Sequence, residues 1–292
     1  MKNLLHFLHL MLVLGLTLGQ SAVAQTIPVY SLVNAPSVDG NDEDWGSAPF
    51  TTVALKKTKP EGMVETKSVA VKGATHGDRL FLFLEWEDFT EDRVHKPWVW
   101  DERDQKYRVG PQREDRLAVQ FAMGGSYTTN WLSGNEFKAD TWHWKASRSN
   151  PLGLAHDKSL VVSRGKLLRA YRLDLPDGGR VYLSRPSDSG DKLYKTKRYR
   201  SLEQQVMPKY ELTGSPEGSV ADVSARGIWS DGRWRLELSR KLNTGNGDDV
   251  AFPLEPGEVP GGIAIFDRSE NDDHAISDTL IFELLFRTWR PS

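Results

Sequence analysis

The chain of 292 residues contains no cysteine. Without a thiol it can form no disulfide bond, no thiolate metal site and no iron–sulfur cluster. The C-x-x-C-H sequence that attaches a c-type haem covalently is excluded for the same reason. A haem in this protein would therefore have to be held by non-covalent contacts.

An excess of charge of one sign is also lacking. The 38 Lys and Arg residues nearly balance 40 Asp and Glu residues, which leaves a net charge of −2. This gives no global electrostatic reason to expect a nucleic-acid partner. The phosphate-binding G-x-x-x-x-G-K-[ST] loop, the G-x-S-x-G elbow and the H-E-x-x-H zinc helix are absent as well. The sequence thus offers no motif for a common catalytic site.

Long apolar runs are confined to the N-terminus. Lys2 precedes an apolar segment over 4–18, and Ala22-Val23-Ala24 has the small-x-small pattern of a cleavage site. We expect residues 1–24 to be a signal peptide, cleaved after Ala24, and the mature chain to be periplasmic. The apolar segment is too short for an anchor, and no later stretch is apolar enough to span a bilayer. We therefore expect no membrane span in the mature chain.

What the sequence does contain is a succession of short strand-like runs. In the run 80–84 both faces are apolar, which is typical of a central strand covered on each side. Two strand-like runs flank Asp231-Gly232, a strong hairpin signal. Ten tryptophans point to aromatic-rich β packing or to a ligand-binding surface. These features predict a mainly β domain over 25–292.

Residues 151–219 differ from the rest of the chain. They are polar, rich in glycine and proline, and contain only short strand-like runs such as 160–162. Long segments of this kind are usually functional or disordered. We predict a large, partly irregular insertion that lies over one end of the β domain.

Several blocks resemble, in order and spacing, the haem-binding domain typified by the gamma subunit of ethylbenzene dehydrogenase. They include 38–45 with its Val-Asp-Gly start, 115–123, 140–146 and 224–277. The resemblance implies an antiparallel β-sandwich that binds one haem b through a Met and a second axial side chain. It also implies an electron-transfer protein or subunit without bond-breaking chemistry of its own. Its partners would be molybdenum oxidoreductase subunits or a cytochrome.

The resemblance also indicates the ligands of the haem iron. Met123 ends the block 115–123 where the family has its Met ligand, and its thioether would raise the reduction potential. His274 lies where the family subunit carries a Lys ligand, and imidazole is a common iron ligand. Met123 and His274 are therefore the predicted pair.

His143 is the substitute ligand. It lies in Thr141-Trp142-His143-Trp144-Lys145, where alternation puts His143 and Lys145 on one face of a strand and the two tryptophans on the other. If the tryptophan face packs inward, we expect His143 to be exposed. If it does not, His143 becomes a rival axial ligand.

A haem-free alternative is a β-sandwich that binds carbohydrate or another small ligand. The start at 38–40 is shared with some carbohydrate-binding sandwiches, and Trp98, Trp100 and Trp131 are expected to be exposed, where they could stack on sugar rings. Met123 and His274 discriminate between the two hypotheses. A haem protein needs both at one cavity, whereas side chains on opposite faces would favour the alternative.

The insertion also offers a docking surface. It carries a cluster of basic side chains that could attract an acidic redox partner. They are Lys192, Lys195, Lys197, Arg198 and Arg200.

Overall fold

The structure is a computed structural model that describes residues 24–289. The predicted signal peptide lies outside the described residues except for Ala24. The described part is almost entirely β, as predicted. Its strands are β1 (Gln25–Ser31), β2 (Thr51–Ala54), β3 (Lys56–Lys57), β4 (Ser68–His76), β5 (Arg79–Glu87), β6 (Trp98–Asp101), β7 (Lys106–Val109), β8 (Arg116–Gly125), β9 (Phe137–Lys145), β10 (His156–Ser163), β11 (Tyr171–Asp174), β12 (Arg180–Ser184), β13 (Tyr194–Thr196), β14 (Val206–Met207), β15 (Tyr210–Leu212), β16 (Ser224–Ser230), β17 (Arg233–Lys241), β18 (Gly257–Phe266), β19 (Ala275–Ile276) and β20 (Leu280–Leu284).

Helices are short in this part of the chain. The 3₁₀ helices cover Glu43–Trp45, Trp131–Ser133, Asn150–Leu152 and Ser219–Ala221. Within residues 24–289, no helix has the length and apolar character needed to cross a bilayer.

Most strands belong to one sheet with the order β11-β12-β10-β9-β8-β18-β20-β1-β4-β5-β17-β16. The short strands β2, β3 and β19 pair at its side. Neighbouring strands are antiparallel, except that β1 runs parallel to both β20 and β4. The sheet is therefore mostly antiparallel, with one parallel strand near its middle.

The two halves of this sheet pack face to face. Trp144 on β9 contacts Trp86 on β5 and Trp234 on β17, with ring centroids 6.0 and 4.9 Å apart. Strand β9 belongs to one half of the strand order, while β5 and β17 belong to the other. Edge-to-face contacts at these distances are typical of a close-packed aromatic core. The predicted antiparallel β-sandwich is thus confirmed.

Strand β5 is covered on both faces, as the run 80–84 predicts. Leu80, Leu82 and Leu84 belong to the main core. Phe81 and Phe83 face the other way and pack with Trp45 in a second apolar cluster. The hairpin prediction is confirmed too, since Asp231 (φ 53°) and Gly232 (φ 72°) link β16 to β17 in the left-handed region that a tight hairpin turn requires.

Residues 151–219 contribute more to the sheet than the sequence suggests. Strands β10, β12 and β11 extend the main sheet beyond β9, so the first half of this segment continues the sandwich. The second half forms the small pair β13–β15 and adds β14 to β6. The isolated run predicted at 160–162 is part of the eight-residue strand β10.

Candidate cofactor-binding cavity

Strand β9 divides its side chains between the core and a cavity. Trp142 and Trp144 are fully buried in the main core. Thr141, His143 and Lys145 point to the opposite face and line a cavity of about 320 Å³. The alternation predicted for this strand is therefore confirmed.

Small side chains form the floor of this cavity. His143 pairs with Ala118 on β8, and Ala118 pairs with Ala264 on β18. Gly262 lies two residues further along β18, where it also lines the cavity. Because these residues lack bulky side chains, the sheet leaves room above β8 and β18 for a bound group.

Other parts of the chain cover the cavity from outside. Tyr194 on β13 and Tyr210 on β15 line it, as do Trp131 from a 3₁₀ helix and Asn271 from a turn. This cover overturns the expectation that His143 would be exposed if the tryptophan face packed inward. The tryptophan face does pack inward, yet His143 is only partly accessible, because the sheet is covered on its second face as well.

Histidines converge on the cavity from distant parts of the chain. Five histidines follow residue 24 in the sequence. Four of them line the cavity, namely His95, His143, His156 and His274. They come from the loop before β6, from the paired strands β9 and β10, and from the turn before β19. Strand pairing thus gathers residues that are up to about 180 positions apart in the sequence.

Two of these imidazoles have a ring nitrogen without a hydrogen-bond partner. His156 is fully engaged, with Nδ1 2.7 Å from Lys145 Nζ and Nε2 2.8 Å from the Ser187 hydroxyl. By contrast, Nε2 of His143 and Nδ1 of His274 are buried and have no partner among residues 24–289. Buried polar atoms normally find a partner, so each unpaired nitrogen is available to a bound group.

Phe266 lies between the two available imidazoles. Its ring centroid is 4.8 Å from that of His274 and 5.9 Å from that of His143. The Arg116 guanidinium lies 4.3 Å from the Phe266 ring centroid. The three rings and this cation form one side of the cavity.

The cavity is strongly basic. Six Lys and Arg side chains line it, and among the described residues no Asp or Glu does. They are Lys96, Arg116, Lys145, Arg148, Lys158 and Arg185. A low-dielectric cavity with charge of one sign attracts a ligand of the opposite sign. The site therefore favours an anionic group.

Burial keeps the imidazoles in their neutral form. It lowers the pKa of His143 well below the ordinary value, and Lys145 adds to the effect. Burial, followed by the charge of Arg116, lowers the pKa of His274 to about 4. Burial also lowers the pKa of Lys145 well below that of a solvated amine. Neutral imidazole is the form that binds a metal ion.

This set of donors fits the haem that the sequence resemblance implies. A haem iron takes neutral nitrogen or sulfur donors as axial ligands, and His143 and His274 each offer an unpaired nitrogen. Carboxylates such as haem propionates pair with Arg and Lys side chains, which the cavity supplies. The covered, mostly buried position also matches a cofactor that keeps its iron away from solvent.

The structure brings His143 and His274 to this cavity but does not bring Met123 there. Met123 lies at a bulge of β8, between Ala122 and Gly124, and packs against the main core. The sequence contains a signal for this position. Met123 has the same parity on β8 as Leu117 and Phe121, which face the core. Met123 therefore lies on the core side and His274 on the cavity side, so the two predicted ligands are on opposite faces of this half of the sandwich.

The three tryptophans named for the alternative hypothesis do not form an exposed platform. The expectation that they are exposed is wrong, since all three are partly buried. Trp98 donates its indole N–H to the Lys197 carbonyl at 2.7 Å, and Trp100 packs edge-to-face on Tyr107 at 5.1 Å. Trp131 lines the cavity itself.

Sequence reasoning missed most of the cavity's cover and charge. Tyr194 and Tyr210 carry no local signal, because their role depends on how β13–β15 packs. Lys145 had a signal in its position two residues after His143 on the same strand face. Arg116 lies two residues before Ala118 on β8, so the same alternation along the strand places both side chains on the cavity face.

Comparisons with known proteins agree on a family. Residues 42–276 match the model of the family described as ethylbenzene dehydrogenase. The gamma subunit of chlorate reductase from Ideonella dechloratans is 29% identical over 179 residues, which cover 58% of this chain and 70% of that protein.

Some solved structures are distantly similar. A family 9 carbohydrate-binding module from Caldicellulosiruptor kristjanssonii, in complex with glucose, has a TM-score of 0.41 at 8% identity and covers 92% of this chain and 98% of its own. A putative carbohydrate-binding protein from Bacteroides uniformis has a TM-score of 0.43 at 10% identity, with 92% and 94% covered. Similarity this distant does not indicate a shared ligand.

Proposed function

The chain belongs to the ethylbenzene dehydrogenase family, and from this premise we propose that it is an exported electron-transfer subunit that binds one non-covalent haem b. The observation that carries the proposal is the cavity, where two buried imidazole nitrogens without partners face a basic enclosure. A bound haem would supply an iron that alternates between the ferric and ferrous states and so carries one electron. No bond-breaking chemistry of the chain itself is required.

We propose His274 as one axial ligand. It offers an unpaired Nδ1, and the low pKa of its imidazole keeps the ring neutral at physiological pH. Arg116, Arg148 and Arg185 would hold the propionates, because a guanidinium donates charge-assisted hydrogen bonds to a carboxylate. These residues would orient the cofactor and exclude water from it.

Two residues compete for the second axial position. The family resemblance favours Met123, whereas the cavity favours His143 with its unpaired Nε2. We propose His143 as the second ligand of the conformation described here and keep Met123 as the rival. The two pairs differ in redox behaviour, because a Met ligand raises the reduction potential relative to a second imidazole.

The proposal extends to partners. The similar chlorate reductase chain is a gamma subunit, which by its name works within a larger enzyme. We propose that this chain likewise passes electrons between a redox enzyme with a molybdenum subunit and a cytochrome, in the periplasm. The five basic side chains of the insertion are all exposed and offer a surface for such docking.

One observation favours the second candidate, a small-ligand-binding sandwich without haem. Met123 and His274 do not reach the same cavity, which is the arrangement that the alternative predicts. The alternative assigns no role to the two unpaired imidazoles, however, and it lacks the exposed tryptophan platform on which it was based. It therefore serves as the competing outcome of the haem test.

The test is to express the full chain with its leader and to measure haem in the purified protein. We expect a b-type pyridine haemochrome with one haem per chain and a low-spin spectrum. A colourless protein that takes up no added haem would instead support the small-ligand-binding alternative.

Single variants then assign the ligands. His274→Ala should lose most haem affinity, because an imidazole nitrogen bound to the iron is removed. His143→Ala should convert the iron to a five-coordinate form if His143 is the second ligand, while Met123→Ala should do so if Met123 is. His76→Ala is the matched control, since His76 bonds the Leu32 carbonyl away from the cavity and should bind haem normally.

A further inference from the structure

A second cluster of chemically reactive groups lies beside the cavity but outside it. Asp88 follows β5, Asp115 precedes β8 and Asp267 follows β18. All three are buried, with 3%, 0% and 7% of their surface exposed. One carboxylate oxygen from each lies within 4.8 Å of the others. Three distant parts of the chain thus bring three carboxylates to one point.

The three carboxylates differ in how they are satisfied. Asp115 accepts hydrogen bonds from the backbone N–H groups of Asp92 and Arg268, at 2.8 and 3.1 Å, and from the Trp234 indole at 3.1 Å. In contrast, Asp88 Oδ2 and Asp267 Oδ1 are buried without any hydrogen-bond partner among residues 24–289. Two buried carboxylate oxygens of the cluster therefore receive no hydrogen bond.

Little positive charge compensates this cluster. Within the described residues, its one salt bridge joins Asp267 Oδ1 to Arg268 Nε at 3.6 Å, and the Arg268 side chain is 46% exposed. Burying an ionised carboxylate without a partner is costly, so such groups either take up a proton or bind a cation. Burial, with the neighbouring aspartates, raises the pKa of Asp88 to about 7 and that of Asp115 to about 8.

The other buried aspartate triad shows how this chain neutralises such a cluster internally. Arg240 lies fully buried among Asp140, Asp157 and Asp249, with Nη1 2.6, 3.1 and 3.1 Å from their oxygens. That guanidinium takes the central position of the triad. Among residues 24–289, no Lys or Arg side chain forms salt bridges to all three of Asp88, Asp115 and Asp267, since Arg268 reaches Asp267 alone.

We propose that Asp88, Asp115 and Asp267 bind one hard divalent cation, Ca²⁺, through oxygens that include Asp88 Oδ2 and Asp267 Oδ1. Ca²⁺ takes oxygen ligands at 2.3–2.6 Å, so two ligands on opposite sides of the ion are about 4.6–5.2 Å apart. The carboxylate oxygens of the cluster lie within 4.8 Å of one another, so one ion can reach all three residues. Ca²⁺ also tolerates irregular geometry and completes its shell with backbone carbonyls or water.

The position of the site gives the ion a structural role. Asp115 directly precedes Arg116, and Asp267 directly follows Phe266. Both Arg116 and Phe266 line the cavity. A bound ion joins the end of β5, the start of β8 and the end of β18. It thereby fixes the beginning of the turn that carries His274, at the point where the cavity wall meets the core.

The test uses the full chain, stripped with EDTA and then titrated with Tb³⁺ and Ca²⁺. The Trp234 indole donates to Asp115, so an ion in the cluster lies close to an aromatic energy donor. We expect tryptophan-sensitised Tb³⁺ luminescence that Ca²⁺ displaces with one site per chain, and a thermal midpoint that rises with Ca²⁺. Mg²⁺ should compete weakly, because it demands shorter and more regular bonds.

Two variants with the same chemical change complete the design. Asp267→Asn should abolish the luminescence and the Ca²⁺-dependent rise in midpoint, yet it should be more stable than wild type in EDTA at neutral pH, since a buried negative charge is removed. Asp272→Asn is the control, because Asp272 is exposed and forms a salt bridge with Lys59. This variant should behave as wild type. If Asp267→Asn fails to fold, Asp88→Asn replaces it with the same expectation.

The proposal is overturned if wild type shows the same midpoint in Ca²⁺ and EDTA and no sensitised luminescence. It is also overturned if Asp272→Asn lowers the luminescence as much as Asp267→Asn does, which would locate the ion at the surface. Neither readout depends on haem, so the result is independent of the proposed electron-transfer function.

Discussion

The two faces of β9 are both covered, but their chemistry is opposite. On one face Trp142 and Trp144 lie in the core, where Trp142 packs on Phe121 of the neighbouring strand β8 and Trp144 on Trp234 of the facing sheet half. On the other, His143 and Lys145 line a basic cavity under a separate cover. The same strand therefore supplies core packing on one side and lines a cavity on the other.

The two faces of β9 affect the stability of the fold in opposite directions. The core face lowers the free energy of the fold, because it removes large apolar surfaces from water. The cavity face raises that free energy, because it buries imidazoles and an amine that would otherwise be hydrated. Buried groups with shifted pKa values are concentrated at binding and catalytic sites.

The largest effect is expected on the core face. Trp144→Ala should lower the free energy of unfolding by about 3–5 kcal/mol, as is usual when a large buried aromatic is truncated. It also removes the indole hydrogen bond to Asn150, which measures 2.9 Å. Denaturant unfolding monitored by circular dichroism measures the change.

The matched control for this prediction is Trp131→Ala on the cavity side. Trp131 is partly accessible and outside the main core, so we expect a clearly smaller loss of stability. Equal losses for the two variants would show that the cavity face stabilises the fold as much as the core does, and the contrast between the faces would fail.

A smaller, pH-dependent effect is expected from Lys145. Because burial lowers its pKa in the folded state, the unfolded chain binds one more proton than the folded chain between that lowered pKa and about 10.4. Stability should therefore rise with pH in this window, by at most about 1.4 kcal/mol per pH unit. Lys145→Met should remove this rise.

Lys138→Met is the control, since Lys138 lies on the same strand and bonds the Gly247 carbonyl at its edge. Chemical unfolding at several pH values between 7 and 10 gives the slopes. If wild type and Lys145→Met have the same slope, Lys145 is not buried in the way the structure describes.

The smallest effect on stability is expected at the basic surface of the insertion. Lys195, Lys197 and Arg198 are exposed, so reversing all three to Glu should change stability by less than about 0.5 kcal/mol per site. Electron transfer to an acidic redox partner should slow, most strongly at low salt, because attraction at a distance becomes repulsion. Stopped-flow kinetics at two ionic strengths measure this.

Reversal of Lys166, Arg169 and Arg180, which are equally exposed but lie near β11 and β12, is the matched control. It adds the same net charge at another position. A rate lowered equally by both triple variants would assign the effect to net charge rather than to docking at the insertion.

Much of the fold followed from local patterns. The doubly apolar run of β5, the Asp-Gly hairpin and the alternation along β9 each depend on residues that are neighbours in the sequence. The extension of the sheet by β10–β12 did not follow, because their polar, short runs gain strand structure only by pairing with β9. A polar strand is stabilised by its neighbours rather than by its own pattern.

The candidate site was predicted in part. His274 and His143 were named from the sequence, and both reach the cavity. Met123 was named from resemblance, while its parity with Leu117 and Phe121 on β8 indicated the core side. The cover formed by Tyr194 and Tyr210 had no local signal, since it depends on how a distant strand pair docks.

By itself the sequence determined the kind of chemistry that is available. The absence of cysteine leaves histidine, methionine and lysine as donors for a metal-containing cofactor, and the strand periodicity decides which side chains share a face. Only the tertiary structure decided which of these side chains meet. His143, His156 and His274 meet the loop residue His95 because the folded chain packs strands and loops that are far apart in the sequence, and the burial that makes their imidazoles neutral arises only when the chain covers the sheet.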